Sequence, residues 1–532
     1  MPRLPLRPLG AVATAIALLT YVGCSSSSSK DDKGTSLAPP GTKPADAPKA
    51  DPAAAKSSKL FAQWPKPEGV LVVSGEMDGY LEPCGCTGGQ LGGLIRRYDF
   101  VERLQAQKWP YALIDLGSLV KDPAAARGGF EQAKIKFSIA LKALSVFKYS
   151  GIALSADDLK VGVGEAMAQF LNAFSEPDNP TKILAANVTP GPGFETIIQP
   201  STIVEAGTVK LGVTAVIDPE NIAKLSDPDK DELLPTVKRA DDVLPSVLAE
   251  LEGKSDYQIL MVQGTPDEAK RLASAYPGFD IVVSKSAIDD PEQDPQMLNN
   301  GKTMLVNVGR RGKYVGAIGF FNDGAKTRYY RVSLGENYNG PATAVKKVIE
   351  DEYRGMLKEI GTVENFPRHD YVNGAPGATF AGAESCKTCH PNTFMKWAST
   401  KHALAFESLL HDPKPNTIYD AECITCHTTG FEYTSGWRSE AATPLLKGNQ
   451  CENCHGPASR HVAEPDDQSF RKFLAVTAEQ VDKNRTCYRC HDEDNSPNFN
   501  FQIYYGKIIH KGLDTYTDPK VHQGAAPKAD KP

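Results

Sequence analysis

The sequence predicts two folded parts of different class on one chain, an α/β part over residues 67–340 and a smaller, mainly α-helical part over 381–525. Three observations predict this. Apolar runs of strand length alternate with amphipathic stretches through the first part. Four copies of a five-residue cysteine motif fill the second, and a Gly- and Pro-containing stretch separates them. At 532 residues, 41% hydrophobic and 23% charged, the chain has room for two or three domains with sizeable cores. Basic residues number 59 against 65 acidic, a formal net charge of -6. With no long basic block of the kind that grips a phosphate backbone, nucleic acid is excluded as a partner.

Ahead of both parts, Arg3 and Arg7 precede an apolar run from Leu9 to Val22 that stops at Gly23-Cys24. The run has the length of a secretory h-region and is short for a membrane span. Tyr21-Val22-Gly23-Cys24 resembles the lipobox of bacterial lipoproteins, although Tyr21 stands where a Leu is usual. The resemblance implies a signal peptide over 1–23, lipidation of Cys24 and an exported chain anchored to a bacterial membrane, facing the periplasm or the cell surface. A plain signal peptide or an uncleaved anchor is the alternative. Residues 24–66, rich in Ser, Pro, Ala and charge, cannot build a core and read as a disordered tether.

In the α/β part, strands are expected at Val70 to Ser74, Tyr111 to Leu116, Ile183 to Asn187, Lys210 to Ile217, Tyr257 to Gln263, Asp280 to Ser284 and Thr303 to Val308. Leu94, Ile95, Tyr98, Val101 and Leu104 recur at spacings of three and four, so a helix follows the Gly-rich turn. Ala342 to Ile360 reads as a charged amphipathic helix inside a linker over 341–380.

The segments "GYLEPCGC", "LIDLGSLV", "GIALSADDLKVG", "LAANVT", "VKLGVTAVI", "GFDIVVSK" and "VNVGRRGKYVGAI" follow one another in an order that resembles the calcineurin-like metallophosphoesterase domain of periplasmic 5'-nucleotidases. The resemblance implies an α/β sandwich, but the ligands have changed. The family's first Asp and His fall on Glu76 and Asp78, its bridging Asp on Ser118 and its Asn-His pair on Ala156 and Asp157. Its next His falls near Gln263, and its final His-x-His near Ser286 and Ile288. No histidine precedes His369. A dinuclear centre needs several Asp, Asn and His groups converging on two metals, so phosphoesterase chemistry is not expected. Glu76, Asp78, Asp115, Asp157 and Asp158 remain as candidates for a hard cation. Cys84 and Cys86, on the Gly-rich turn, form either a local disulfide or structural pair, or a redox or soft-metal site; the sequence leaves both open.

The remaining eight cysteines fall in CKTCH (Cys386, Cys389, His390), CITCH (Cys423, Cys426, His427), CENCH (Cys451, Cys454, His455) and CYRCH (Cys487, Cys490, His491). CxxCH is the attachment signature of haem c: two thiols add to the porphyrin vinyl groups and the adjacent His ligates iron. Two zinc ribbons would share the CxxC spacing but give no reason for a His after every second Cys. Four covalently attached haems are therefore expected, in agreement with export. From Val372 onward there is one methionine, Met395, against five histidines outside the motifs: His402, His411, His461, His510 and His522. Distal ligation must be mostly His or nothing, which places the haems toward low potential. Phe394, Trp397, Ala398, Ala405 and Leu409 have helical spacing and predict a helix over Asn392 to Leu410 that presents His402 inward.

The succession of CxxCH, Trp397, "STKHALA", "CHTTGF", "CENCHGPASRH", CYRCH and "YYGKIIH", over about residues 380 to 512, resembles the tetrahaem cytochrome c-554 type. The resemblance implies three bis-His haems, with His402, His461 and His510 as distal ligands, and one five-coordinate haem on His427 of the second motif. His411 and His522 have no counterpart and are expected at the surface; which distal His serves which iron stays open. The leading functional expectation is an electron carrier with redox-protein donor and acceptor and a catalytically inactive front domain. The alternatives are an enzyme acting on a small nitrogen or oxygen species at the open haem, and a ligand-binding redox sensor.

Overall fold

The computed structural model describes Phe61 and residues 63–83, 88–225, 233–324 and 326–514. Cys24, Cys84, Cys86 and His522 lie outside these residues, as do the signal peptide and most of the tether. The described residues all belong to one compact unit.

In strand Gly69–Ser74 every residue is buried, with Val70 and Val72 in one apolar cluster and Leu71 and Val73 in another. Side chains alternate across a strand, so a strand apolar at every position must be covered on both faces. It lies inside a seven-stranded sheet ordered Thr327–Ser333, Tyr314–Phe320, Gly69–Ser74, Tyr111–Asp115, Gly151–Ala153, Lys182–Leu184, Ile198–Gln199. A second, six-stranded sheet runs Gln296–Leu298, Thr303–Asn307, Ile281–Ser284, Tyr257–Gln263, Val209–Ile217, Ser201–Ala206. Leu71, Val73 and Ile114 of the first sheet pack on Leu211, Val213, Ile259 and Val283 of the second. Helices Leu94–Ala106 and Gly129–Phe147 cover the outer face of the first sheet, and helices Ala240–Glu252 and Pro266–Ala275 that of the second. The result is a four-layer α/β sandwich, the class the sequence predicts.

All seven expected strands form. The strand expected from Ile183 to Asn187 ends at Leu184, because Asn187 turns its amide onto other backbone, donating to the Ile217 and Lys238 carbonyls and accepting from the Ile217 N–H. The helix expected in the linker runs from Thr343 through a wider-wound π segment, Lys347–Tyr353, to Ile360. Its Val345, Val348, Ile349, Tyr353 and Leu357 are buried in the same core as Phe137, Leu141 and Leu144. It is part of the α/β body.

The C-terminal part is built of short helices around a small cluster that includes Val363, Phe380, Phe406, Leu409, Ile424, Phe431, Trp437 and Leu446. The single helix expected over Asn392 to Leu410 is two, Pro391–Ala398 and Ala405–Leu410, with His402 in the turn between them. Ser399 Oγ donates to the Lys396 carbonyl and Thr400 Oγ1 to the Trp397 carbonyl. These local bonds compete with helix continuation, and apolar spacing on either side does not reveal them.

The two parts are joined by polar contacts. Gln132 donates to Asp420 at 2.7 Å, Lys136 pairs with Glu422 at 2.5 Å, and Arg127 pairs with Asp492 at 2.6 Å. Asp494 takes Arg311 and Tyr80, while Glu82 takes Arg354 and, at 3.1 Å, Lys414.

Candidate functional site

The second and third motifs form helical turns, Ala421–His427 and Cys451–His455, and the fourth opens on the 3-10 turn Cys487–Arg489. In a helical turn residues i, i+3 and i+4 share one face, so both thiols and the imidazole of a CxxCH point the same way. Residues that carry no mark in the sequence hold the motifs to one another. Glu452, inside CENCH, is 2% exposed and accepts the N–H groups of Ala381, Gly382 and Ala458 at 2.8–3.1 Å. Burial pushes its carboxyl above the ordinary range against the pull of those N–H groups. Asn453 accepts from Gly430 N and donates to the Thr428 carbonyl, just past the second motif. Gln450 accepts from Ala383 N, just before the first.

Three of the four motif histidines face a second imidazole. His390 stands against His461 with ring centres 6.5 Å apart, His491 against His402 at 6.0 Å, and His455 against His510 at 5.6 Å. Among the described residues no second imidazole pairs with His427, and His411 is exposed. The Nδ1 atoms of His427, His455 and His510 lie 2.5, 2.6 and 3.0 Å from the carbonyls of Ala405, Leu474 and Ile508. A carbonyl only accepts, so Nδ1 carries the proton and Nε2 keeps its lone pair for a metal. Burial lowers the His402, His427, His455, His461 and His491 side chains below the ordinary imidazole value, favouring the neutral, ligating form.

A cavity of about 510 Å³ is lined by Cys386, Cys389, Cys451, Cys454 and Trp397 together with His390, His402, His455, His461 and His510. Cys386 lies within hydrogen-bonding reach of Cys451, and Cys426 of Cys490. The residues fit haem: two imidazoles each about 2 Å from one metal ion have ring centres about 6 Å apart, the spacing of all three pairs.

In the front domain the carboxylates that the resemblance sets at metal-ligand positions are paired with the protein's own cations. Asp157 pairs with Lys285 at 2.9 Å and Lys160 at 3.1 Å, and Asp78 with Arg310 at 3.3 Å. Glu76 accepts the Ser286 N–H at 2.6 Å. Burial pushes the Glu76 carboxyl up to about 8, with the Ser286 N–H and Lys285 acting against it. Burial also opposes ionisation of Asp157, yet Lys285 and Lys160 hold it down to about 2. Ser118 Oγ bonds Asp157 at 3.2 Å, Ala156 is buried, Gln263 donates to the Leu116 carbonyl and Ile288 is exposed.

Three of the five carboxylates named as cation candidates, Glu76, Asp78 and Asp157, gather around Lys285 and Arg310; the other two are taken up by the fold. Asp115 is buried against Arg97, Ser74 and Gly117 N, and Asp158 accepts the N–H groups of Ser118, Leu119 and Val120. The burial that makes both acids need partners is satisfied within the fold. Among the described residues no group of three or more His, Cys, Asp or Glu is arranged to hold a metal ion.

Residues 385–456 match the family model Cytochrome c554 and c-prime. The match takes in the first three motifs. Cytochrome c-554 of Nitrosomonas europaea is 31% identical over 139 residues, 22% of this chain and 59% of that protein; the chain thus spans less than two thirds of the length of this curated relative. Among solved structures, the 5'-nucleotidase precursor of Thermus thermophilus superposes with a TM-score of 0.45 at 14% identity, covering 62% of this chain and 66% of that one. A calcineurin-like phosphoesterase of Bacillus subtilis gives 0.42 at 16% identity, covering 55% and 98%. The C-terminal part is thus similar to cytochrome c-554.

Proposed function

We propose that the protein is a tetrahaem electron carrier, exported and held to a bacterial membrane through Cys24, that passes electrons between redox-protein partners. The observation that carries the reading is the set of imidazole pairs at three CxxCH motifs beside a fourth that stands alone. Haem is attached through Cys386 and Cys389, Cys423 and Cys426, Cys451 and Cys454, and Cys487 and Cys490. It is ligated by His390 with His461, His491 with His402, His455 with His510, and His427 alone. Bound haem supplies one-electron chemistry at low potential. The chain's own part is to fix the spacing: Glu452, Asn453 and Gln450 lock the first three motifs together, and the Cys386–Cys451 and Cys426–Cys490 contacts bring motifs together in pairs. Mass spectrometry of the denatured chain is expected to show four covalent haem additions; fewer would reject the count.

A second reading is favoured by His427, which has no imidazole opposite it among the described residues. An open haem there would take a small nitrogen or oxygen species, with the other three as electron relay. Electron paramagnetic resonance of the ferric protein is expected to show a high-spin signal from about one haem in four, altered by nitric oxide. Four low-spin haems indifferent to nitric oxide would leave electron transfer alone.

The front domain serves as a docking and positioning body without phosphoesterase activity, a reading supported by Lys285 and Arg310 lying among Glu76, Asp78 and Asp157. The purified chain is expected to show no turnover of phosphate esters or nucleotides with manganese, zinc or calcium added. Turnover abolished by Asp157→Asn would overturn this.

A further inference from the structure

The helix Gly129–Phe147 and the loop before it meet the cytochrome-like part at the second and fourth motifs. Gln132 and Lys136 on this helix hold Asp420 and Glu422, and Asp420 in turn caps the helix that carries the second motif by accepting from Glu422 N. One turn ahead, Arg127 reaches past that helix. Its Nη1 is 3.7 Å from Cys426 Sγ, and its Nη2 is 2.8 Å from the Arg489 carbonyl and 2.6 Å from an Asp492 carboxylate oxygen. Cys426 belongs to the second motif; Arg489 lies within the fourth, and Asp492 follows its histidine. The two motifs touch through Cys426 and Cys490. The guanidinium of Arg489 is itself turned to Glu432 and lies 5.9 Å from the Tyr433 ring centre. The charges at this junction are thus Arg127 and Asp492, with Arg489, Glu432, Lys136 and Glu422 already paired around them.

We propose that Arg127, supplied by the front domain, sets the reduction potential of the haems on the second and fourth motifs, a role that rests on the haem assignment above. On reduction each iron accepts one electron from an external one-electron donor; no bond breaks and the site gains one negative charge. A fixed cation in partly buried surroundings stabilises the reduced state, and a fixed anion does the opposite. Arg127 and Asp492 are only 24% and 31% exposed, so water screens them weakly. Because the two charges offset each other, removing either one uncovers its partner, and the two removals act in opposite directions. The front domain is then a tuning element: it fixes how readily electrons rest on the haem pair beside it.

The test is a spectroelectrochemical titration of the full haem-loaded chain with dithionite as reductant. Arg127→Gln is expected to lower the midpoints of two of the four haems, by about tenfold in the reduction equilibrium, or about 59 mV for one electron. Asp492→Asn is expected to raise the same two, Arg127→Lys to leave them near the parent value, and the double variant Arg127→Gln/Asp492→Asn to return toward it. A merely structural Arg127 would shift both single variants in one direction. Four haems by mass with midpoints unmoved, or moved alike in both variants, would overturn the proposal alone. A mass lacking haem at Cys423 and Cys426 or at Cys487 and Cys490 would instead remove the haem assignment beneath it.

Discussion

Nδ1 of His461 is buried without a hydrogen-bond partner among the described residues, whereas Nδ1 of His455 is held by the Leu474 carbonyl. A ligand imidazole anchored through its second nitrogen is fixed in tautomer and rotation; His461 lacks that anchor. His461→Ala is expected to convert about one haem in four to high spin in the resonance spectrum, and added imidazole to restore the low-spin signal. A second prediction concerns Glu76, whose carboxyl rises from 4.5 to about 8 on folding. The folded state then binds the extra proton between these values, so the contribution of Glu76 to stability is full below pH 4.5 and lost as pH rises through 8. Glu76→Gln cannot titrate. Between pH 5 and 8 its denaturation free energy should fall less steeply than the parent's, by a few kcal/mol in order of magnitude. At this scale the sequence shows what covalent chemistry forces to be local: CxxCH must be contiguous, so all four motifs are visible. The pairing of His402 with His491, across 89 positions in chain order, is made by the fold, and Glu452 carries no periodic mark to single it out.

Among elements, strands that are apolar on both faces are plain in the sequence because a central strand of a covered sheet has nowhere to put a polar residue. Tyr257–Gln263 forms with the expected bounds. The hairpin of Tyr314–Phe320 and Thr327–Ser333 is not legible in the same way: its outer strand is half-buried along most of its length, and Arg328, Tyr329, Tyr330 and Arg331 break the apolar run. The helix that carries the second motif depends on a neighbour far away in sequence. Gln132 bonds Asp420 at 2.7 Å and Tyr353 at 2.9 Å, all three buried. Gln132→Ala leaves both partners short of a hydrogen bond, and unfolding by denaturant is expected to show a loss of about 1–3 kcal/mol. If the contact mattered only to the α/β body, the haem bound at Cys423 and Cys426 would keep its spectrum; a change in the high-spin fraction is expected instead.

For the molecule as a whole, the division into parts read from the sequence is looser than the packing. The helix from Thr343 to Ile360 closes the α/β core, and Arg354 on it holds Glu82. A fragment ending at residue 340 would lose the Val345, Val348, Ile349, Tyr353 and Leu357 side chains from its core. At about 1.5–3 kcal/mol for each fully buried side chain, the sum rivals the roughly 5–15 kcal/mol stability of a whole domain. Such a fragment is expected to be cut rapidly by protease, and one ending at Ile360 to resist.

Beyond Leu446 the hydrophobic residues buried in the described chain are Ala458, Val481 and Phe501. A stretch with so little apolar surface to hide has no drive to collapse unaided. On the haem reading proposed above, its shape would come from the groups bonded to its cysteines, which gives the molecule a history as well as a form. The sandwich can assemble from its own sequence as soon as it is released, presenting Gln132, Lys136 and Arg127 as a finished bed. The stretch beyond Leu446 would remain open until its thiols have been modified, and only then settle against Arg127.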